Sequence, residues 1–193
     1  MLHILDIFAW LACVVYATIP AFWLMVHPFA DYWRSRRRNP FLILLPAWVL
    51  LWILAGLATA PWHAIRFYSN PLAWMPGALL FALGIWIYKL SSKDFSGSQL
   101  GGIDEVRRVR KQQLVTTGIR ARVRHPIYLA HLCEMLAWSI GTGLAICFAL
   151  TAFAILSGAL MILLEDRELE SRFGVEYQDY RTRVPAILPL RRA

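Results

Sequence analysis

The fold is decided by two long apolar runs between two polar clusters, in the stretch RHPIYLAHLCEMLAWSIGTGLAICFALTAFAILSGALMILLEDREL, Arg124–Leu169. The runs Pro126–Ile140 and Leu144–Leu164 are candidates for membrane helices, although the first is short for a span of about 20 residues. Gly141-Thr142-Gly143 between them permits a tight turn. The stretch therefore predicts a helical hairpin whose two polar ends lie at the same depth.

The rest of the chain is equally apolar. Hydrophobic residues make up 59% of the 193 positions, above the roughly 45–50% typical of soluble domains. Further apolar runs precede the hairpin, at Ile4–Val26, Phe41–Ala60 and Leu72–Leu90. A signal peptide is the competing interpretation of the first run, but it lacks a basic start and a small-residue cleavage site. We expect an all-α, polytopic membrane bundle of about five transmembrane helices.

The distribution of charge predicts the orientation in the membrane. Of the 20 Lys and Arg residues, only Arg66 falls in the loop between the second and third runs. The positive-inside rule then predicts an external N-terminus and a cytoplasmic C-terminus, with both polar clusters on the cytoplasmic face. We expect the inner or plasma membrane of a bacterium as the location. The net charge of +8 is explained by this topology and by anionic headgroups, so no nucleic-acid partner is expected.

The three cysteines predict neither a disulfide framework nor a metal site. Cys13, Cys133 and Cys147 all lie within predicted spans and form no CxxC spacing, which is the pattern of packing residues. No zinc-ligand or phosphate-loop spacing is present either. We therefore expect no bound metal, and the sequence does not define an oligomeric state.

The chain is expected to form a single membrane domain with four parts. Asp6, His27 and His63 lie near predicted interfaces, where water is available, and we interpret them as solvated. We therefore expect the first half of the chain to be a structural scaffold that carries few functional side chains. The parts are a three-helix scaffold (1–90), a cytoplasmic connection (91–125), the hairpin (126–164) and a cytoplasmic tail that completes the site (165–193).

A polar stripe runs along the first helix of the hairpin. Tyr128, His131 and Glu134 recur every three residues, so each is displaced by about 60° from the last. Such a stripe can join helices within the membrane, or His131 and Glu134 can line an ion path in a non-catalytic binder or transporter. Haem ligation by His125, His131 or His27 is a further alternative, because histidines in bundle cores can bind metals.

Two motifs flank the hairpin, RHPIY at Arg124–Tyr128 and EDxxLxxxFGxxYxxYxxxVPxxxP at Glu165–Pro189. LVTTG precedes them, at Leu114–Gly118. In this order the blocks closely resemble the isoprenylcysteine carboxyl methyltransferase and phospholipid methyltransferase group of integral-membrane enzymes, over about residues 112–189. The resemblance implies methyl transfer from S-adenosylmethionine to a lipophilic small molecule or lipid from the bilayer.

The resemblance also implies a cofactor site on the cytoplasmic side, capped by the tail. Because methyl transfer needs alignment rather than a covalent intermediate, no catalytic residue is identified, and His125, Tyr128 and Glu165 are positioning candidates. Aromatic faces attract a sulfonium charge, which adds Tyr177 and Tyr180 as possible contacts. The implied cofactor-binding residues are Gln112, Gln113, Leu114, Val115, His125, Pro126, Ile127, Tyr128 and Glu165.

Two departures from the group leave the acceptor open. Many relatives carry an aromatic residue two positions after the glycine of the first block, where this chain has Arg120. Relatives acting on a prenylcysteine carboxylate carry an arginine four positions before the acidic residue, where this chain has Met161. Loss of that charge-assisted contact, worth about 1.5–3 kcal/mol, argues against the same acceptor. A thioether-bearing acid, a phospholipid amine and another amphiphile are the alternatives.

Overall fold

The computed structural model describes residues 2–36, 39–93 and 113–188, which form helices joined by turns. The expected all-α architecture is confirmed. In chain order the α-helices are α1 (Leu2–Val26), α2 (Ala30–Ser35), α3 (Phe41–Thr59), α4 (Trp74–Lys93), α5 (Pro126–Thr142), α6 (Ala145–Phe173) and α7 (Val175–Arg183).

Four segments of the described chain are long and apolar enough to cross a membrane: Ile4–Ser35, Phe41–Trp62, Pro71–Lys93 and Ala145–Phe173. They correspond to four of the five predicted spans, and the polytopic prediction is confirmed. The remaining predicted span is α5, which has 17 residues and so lies at the lower limit of length for a crossing helix. The count of five crossing helices stays a prediction.

Helices α4 and α5 pack closely because glycines line the face of α4 that meets α5. A Cβ atom added to Gly84 would lie 2.9 Å from the Ala130 carbonyl oxygen, and one added to Gly77 would lie 3.0 Å from the Ala137 carbonyl oxygen. Small residues allow two membrane helices to approach through their backbones. The position of α5, which begins with the RHPIY motif, is fixed by this contact.

The main apolar core joins α1 to α5 and α6. Two of the cysteines, Cys13 and Cys147, are fully buried in it. Helix α3 packs less closely against the rest of the bundle. All of its residues are described by the structure, and Leu44 is the only buried one. It contacts α1 through the Trp48 indole N–H, which donates to the Thr18 hydroxyl at 3.1 Å. The buried members of the main core are Ala9, Cys13, Val14, Ala17, Met135, Leu144, Ile146, Cys147 and Leu150.

The turn between α5 and α6 lies at one end of the bundle, which we call the turn end. Gly143 has φ +69° there, and a Cβ atom would lie 2.3 Å from the Tyr68 carbonyl oxygen, so both conformation and space require glycine. Arg66 contacts the Asp6 carboxylate and donates to the Thr142 carbonyl oxygen at 3.0 Å. Asp6 is buried, so its interpretation as a solvated residue is wrong.

The opposite end, which we call the tail end, carries both motifs. Helix α6 continues to Phe173, so Glu165 lies inside a helix rather than in a separate tail. The helix ends before Gly174, which has φ +57°, a conformation that glycine commonly supplies at the end of a helix. Beyond α7 the chain folds back, and the backbone N–H groups of Arg124 and His125 donate to the carbonyl oxygens of Pro185 and Ala186, each at 2.9 Å.

Candidate functional site

His125 lies at the mouth of α5, immediately before the helix begins at Pro126. Proline suits the first turn of a helix and biases the preceding residue away from helical dihedrals, and His125 has φ −117° and ψ 63°. Its backbone is anchored by Ala186, as described above, and its side chain is buried. The imidazole is therefore held in a fixed position at the tail end.

Asp166 is the centre of the polar network at the tail end, although sequence reasoning did not select it. It is 2% exposed and contacts Arg124 Nη2 at 2.7 Å and His125 Nε2 at 3.1 Å. The Tyr177 hydroxyl donates to the same carboxylate, and Arg181 Nε lies 3.6 Å from it. Both carboxylate oxygens thus have partners, and Asp166 joins the RHPIY motif to α7.

Glu165 contacts the other nitrogen of the same imidazole. Its Oε2 atom lies 3.3 Å from His125 Nδ1 and 3.8 Å from His27 Nε2. This oxygen is buried, yet it accepts no hydrogen bond of regular geometry from a described residue. A carboxylate oxygen can accept more than one hydrogen bond. Glu165, unlike its neighbour Asp166, therefore has acceptor capacity left for a ligand.

His27 belongs to the site, which corrects its interpretation as a solvated interface residue. It is 5% exposed and stacks on Trp23 with ring centroids 5.2 Å apart. It follows α1 directly, in a short 3₁₀ turn. No local pattern could have identified it, because its partner Glu165 lies on α6 and meets it only through tertiary packing.

The charges at the tail end are set by these contacts. Burial lowers the pKa of His125, but Glu165 and Asp166 outweigh burial and raise that pKa to about 9, so the imidazole is charged at neutral pH. Burial also raises the pKa of Tyr180 to about 12. For Tyr177, burial and the hydrogen bond to Asp166 both raise the pKa. Both phenols therefore remain protonated and act as donors.

A cavity of about 430 Å³, the first cavity, opens between these groups. Residues from the N-terminal half line it as well, among them Trp23, His27 and Trp48, so that half is more than scaffold. Gln112 lies outside the described residues. The other eight implied cofactor-binding residues all line this cavity: Gln113, Leu114, Val115, His125, Pro126, Ile127, Tyr128 and Glu165. Their role in binding a cofactor stays a prediction.

The two departures from the motif pattern have different surroundings. Arg120 is buried and lines the first cavity, and its carbonyl oxygen accepts a hydrogen bond from Tyr180 at 2.8 Å. Met161 is fully buried on α6. The first departure adds a guanidinium to the cavity wall, and the second leaves a neutral side chain at its position.

The polar stripe on α5 connects this helix to α1. The Tyr16 hydroxyl donates to the Glu134 carboxylate, and the rings of Tyr16 and His131 lie 5.1 Å apart. Glu134 thus joins two helices, which is one of the two roles that the sequence leaves open for it. Tyr128 and His131, the other two residues of the stripe, line the first cavity.

The fold and the cavity define an integral membrane protein whose charged site lies at one end of a helix bundle. A model of the phospholipid methyltransferase family matches residues 72–176, which is more than half of the chain. The chain belongs to this family. The match covers α4, the hairpin and the beginning of α7, and it includes the RHPIY motif and both acidic residues.

Two of the three relatives that follow are methyltransferases, which agrees with this assignment. The chain is 30% identical over 148 residues to methanethiol S-methyltransferase 2 of Bradyrhizobium diazoefficiens, covering 75% of this chain and 50% of the relative. It is 29% identical over 147 residues to the protein-S-isoprenylcysteine O-methyltransferase of Mus musculus, covering 72% and 48%. A delta(14)-sterol reductase of Mus musculus is 31% identical over 136 residues, covering 63% and 32%. The chain spans half or less of the length of these relatives, and no solved structure matches it significantly.

Proposed function

We propose that this protein is an integral-membrane methyltransferase that uses S-adenosylmethionine and methylates a lipophilic acceptor from the bilayer. The observation that carries the proposal is the first cavity, which is lined by all eight described residues of the implied cofactor set. Family membership and the methyltransferases among its relatives support the same reaction.

The residues of the first cavity suit the proposed cofactor. Its volume of about 430 Å³ lies in the range of small-molecule sites. Glu165 Oε2 contacts His125 and His27 and has acceptor capacity for a further hydrogen bond, from a ribose hydroxyl or an amino group. Tyr128, Tyr177 and Tyr180 line the cavity and offer aromatic faces to a positive charge. When bound, S-adenosylmethionine supplies a methyl group activated by its sulfonium.

The chain itself contributes position and shielding. Asp166 holds His125 Nε2 at 3.1 Å, so the imidazole presents its other nitrogen beside Glu165. The segment that follows α7 covers the tail end through the hydrogen bonds that the carbonyl oxygens of Pro185 and Ala186 accept. A fixed, covered site aligns the two reactants and excludes water, which is the main requirement of methyl transfer.

The proposed orientation puts the first cavity on the cytoplasmic side. The basic residues concentrate in the loops and the tail at that end, and Arg66 is the exception at the turn end. A soluble cofactor would then enter from the cytoplasm and a lipophilic acceptor from the membrane. A bacterial inner membrane is the expected location, and membrane lipids are the expected surroundings.

The proposal is tested by incubating the purified protein in lipid nanodiscs with methyl-labelled S-adenosylmethionine and a panel of lipophilic thiols, amines and carboxylic acids. We expect label in the organic extract for at least one acceptor class. Glu165→Gln should reduce this transfer at least tenfold, whereas Glu176→Gln, an exposed carboxylate on α7, should leave it unchanged.

The sterol reductase among the relatives provides the contrary outcome. If no acceptor is labelled, and sterol reduction is observed instead, the methyltransferase proposal is wrong. The transporter alternative has no support from the relatives. Glu134, which it requires, is engaged by the Tyr16 hydroxyl.

A further inference from the structure

The first cavity has an apolar side that the implied cofactor set does not include. Residues of α1 and α3 form this side, and none of their side chains is charged. The three that α3 contributes follow one another at intervals of four and three residues and therefore share one face of that helix. We call this side the aromatic lobe, and its residues are Ile19, Phe22, Trp23, Phe41, Leu45 and Trp48.

The aromatic lobe occupies the inner face of α3. This helix packs chiefly against α1, and side chains on its other faces are exposed, such as Leu42 at 70% and Leu50 at 54%. The face that carries Phe41, Leu45 and Trp48 borders the first cavity instead. A helix at the edge of the bundle thus supplies one wall of the site.

A row of aromatic rings connects the lobe to Glu165. The Phe22 ring lies 5.0 Å from the Trp48 ring and 5.3 Å from the Trp23 ring, measured between centroids. The Trp23 ring stacks on His27 at 5.2 Å, and His27 Nε2 lies 3.8 Å from Glu165 Oε2. Polarity therefore increases along the row, from α3 toward the charged part of the first cavity.

This gradient of polarity orients an amphiphile. A hydrocarbon chain that moves from the bilayer into the lobe loses no hydration, and the ring faces provide dispersion contacts. A charged group would lose its hydration in the lobe without a counter-charge, which is costly. At the other end of the row, His27, His125 and Glu165 offer polar contacts. The chain of an acceptor is therefore favoured in the lobe, and its polar end beside the cofactor-binding residues.

A further cavity, of about 470 Å³ between α1, α5 and α6, does not offer this continuity. Among the eight described residues of the implied cofactor set, Tyr128 alone lines it. Its polar end carries Asp166, which contacts Arg124 at 2.7 Å and Arg181 at 3.6 Å. The polar end of an amphiphile bound there would lie beside this ionic network rather than beside Glu165.

We propose that the aromatic lobe binds the hydrocarbon chain of the methyl acceptor, with the polar end of the acceptor directed toward His27 and Glu165. This inference rests on the proposed methyltransferase function and names the part of the site that recognises the chain. Helix α3 then selects acceptors by their hydrocarbon chain, and this selection is the same for a thiol, an amine and a carboxylic acid.

The first test places an indole in the lobe by Leu45→Trp, at a side chain that is 45% exposed and so tolerates a larger residue. The acceptors are the octyl and hexadecyl forms of a thiol, an amine and a carboxylic acid. For the class that accepts label, the variant should lower kcat/KM for the hexadecyl form about tenfold or more, through KM, because the added ring overfills the space of the chain. The octyl form should lose only a few-fold, since a shorter chain extends less far along the row.

Two further variants are the controls. Leu42→Trp makes the same change on the same helix but outside the lobe, and it should change neither rate. Gly158→Leu enlarges a side chain in the further cavity, where an added Cβ atom would meet only the Pro20 ring, at 3.8 Å. It should leave transfer to the hexadecyl form within about twofold of wild type. Affinity for S-adenosylhomocysteine should match wild type in all three variants.

Photocrosslinking locates the chain without turnover. The probes are the hexadecyl thiol, amine and acid with a diazirine at the end of the chain, added to wild type in lipid nanodiscs with S-adenosylhomocysteine. Irradiation should label the segment from Phe41 to Trp48, and an excess of the compound without the diazirine should suppress this label. Label acquired by nonspecific partition into the bilayer is not suppressed, so the competition identifies a specific site.

The results separate this inference from the function on which it rests. Suppressible label on α6 between Ala154 and Leu163 instead of α3, or equal kcat/KM in wild type and Leu45→Trp, would overturn the inference and leave the methyltransferase intact. Weaker binding of S-adenosylhomocysteine by Leu45→Trp would mean that the lobe holds the adenine of the cofactor, which also overturns it. Absence of S-adenosylhomocysteine binding and of transfer to every acceptor in wild type would overturn both.

Discussion

The two ends of the helix bundle each pair an arginine with a buried aspartate, yet only the tail end is associated with the first cavity. At the turn end, Arg66 contacts Asp6 and the Thr142 carbonyl oxygen, and the pair ties α1 to the hairpin turn. At the tail end, Arg124 contacts Asp166 and the Val184 carbonyl oxygen at 2.6 Å. In each case the guanidinium also donates a hydrogen bond to a backbone carbonyl oxygen at the end of a helix or directly after it.

The difference lies one position along α6. Successive residues of a helix point about 100° apart, so Asp166 turns toward Arg124 and α7 while Glu165 turns toward His27 and the first cavity. Asp166 has a partner for each oxygen, whereas Glu165 Oε2 accepts no regular hydrogen bond from a described residue. A buried ion pair therefore does not identify a ligand site. A buried carboxylate that lines a cavity and can still accept a hydrogen bond does identify a candidate ligand site.

The largest effect should come from Asp166→Asn. The change removes the buried counter-charge of Arg124 and His125, and breaking a buried ion pair from one side costs about 3–5 kcal/mol. We expect the unfolding temperature in detergent to fall by roughly 10 °C and the affinity for S-adenosylhomocysteine to be lost with it.

The matched change at the turn end is Asp6→Asn. It should also lower the unfolding temperature, because Arg66 loses its carboxylate, but affinity for S-adenosylhomocysteine measured below the unfolding range should stay within twofold of wild type. Equal loss of affinity in both variants would mean that the two ends do not differ in function.

The next effect concerns pH, since the pKa of His125 is raised to about 9 in the folded protein from about 6.5 in the unfolded chain. The charged His125 therefore adds to the free energy of unfolding. This contribution is fully present below about pH 6.5 and declines as the pH rises toward 9. The loss amounts to about 3 kcal/mol. Thermal unfolding between pH 6 and 10 should show this decline in wild type. A decline of the same size in His125→Gln would contradict the assignment.

The smallest predicted effect compares two tyrosines. Tyr177→Phe removes a buried hydrogen bond to Asp166, which should cost about 1 kcal/mol of stability and weaken S-adenosylhomocysteine binding a few-fold. At the turn end, Tyr68→Phe removes an exposed hydrogen bond to the Ile140 carbonyl oxygen and should leave binding unchanged. Calorimetric titration of both variants measures the contrast, which would fail if Tyr68→Phe weakened binding as much as Tyr177→Phe.

Local pattern in the sequence was sufficient for much of the fold and part of the site. The apolar runs give the helices, and Gly143 and Gly174 mark turns at positive φ. The His125-Pro126 pair fixes where α5 begins. The resemblance to the methyltransferase group implied a set of residues that line one cavity wherever the structure describes them, because the hairpin returns the chain to the same end of the bundle.

Other features depend on packing between distant helices and could not be predicted. His27 was interpreted as solvated because its sequence position is near a helix end, but α6 places Glu165 against it. The sequence does not identify Asp166 as the centre of the polar network. Adjacent carboxylates cannot be assigned to different faces of α6 before the neighbours of that helix are known. A further cavity is lined by residues of α1, α5, α6 and the chain from Arg181 to Ile187, so it too arises from packing between distant segments.

The most direct test of the central claim is calorimetric titration of S-adenosylhomocysteine into the purified protein in lipid nanodiscs, for wild type, Glu165→Gln and Glu176→Gln. We predict saturable binding by wild type and Glu176→Gln, and at least tenfold weaker binding by Glu165→Gln when each protein is measured below its own unfolding range. Equal affinity in all three proteins, or no binding by folded wild type, would contradict the assignment of the first cavity as the cofactor site.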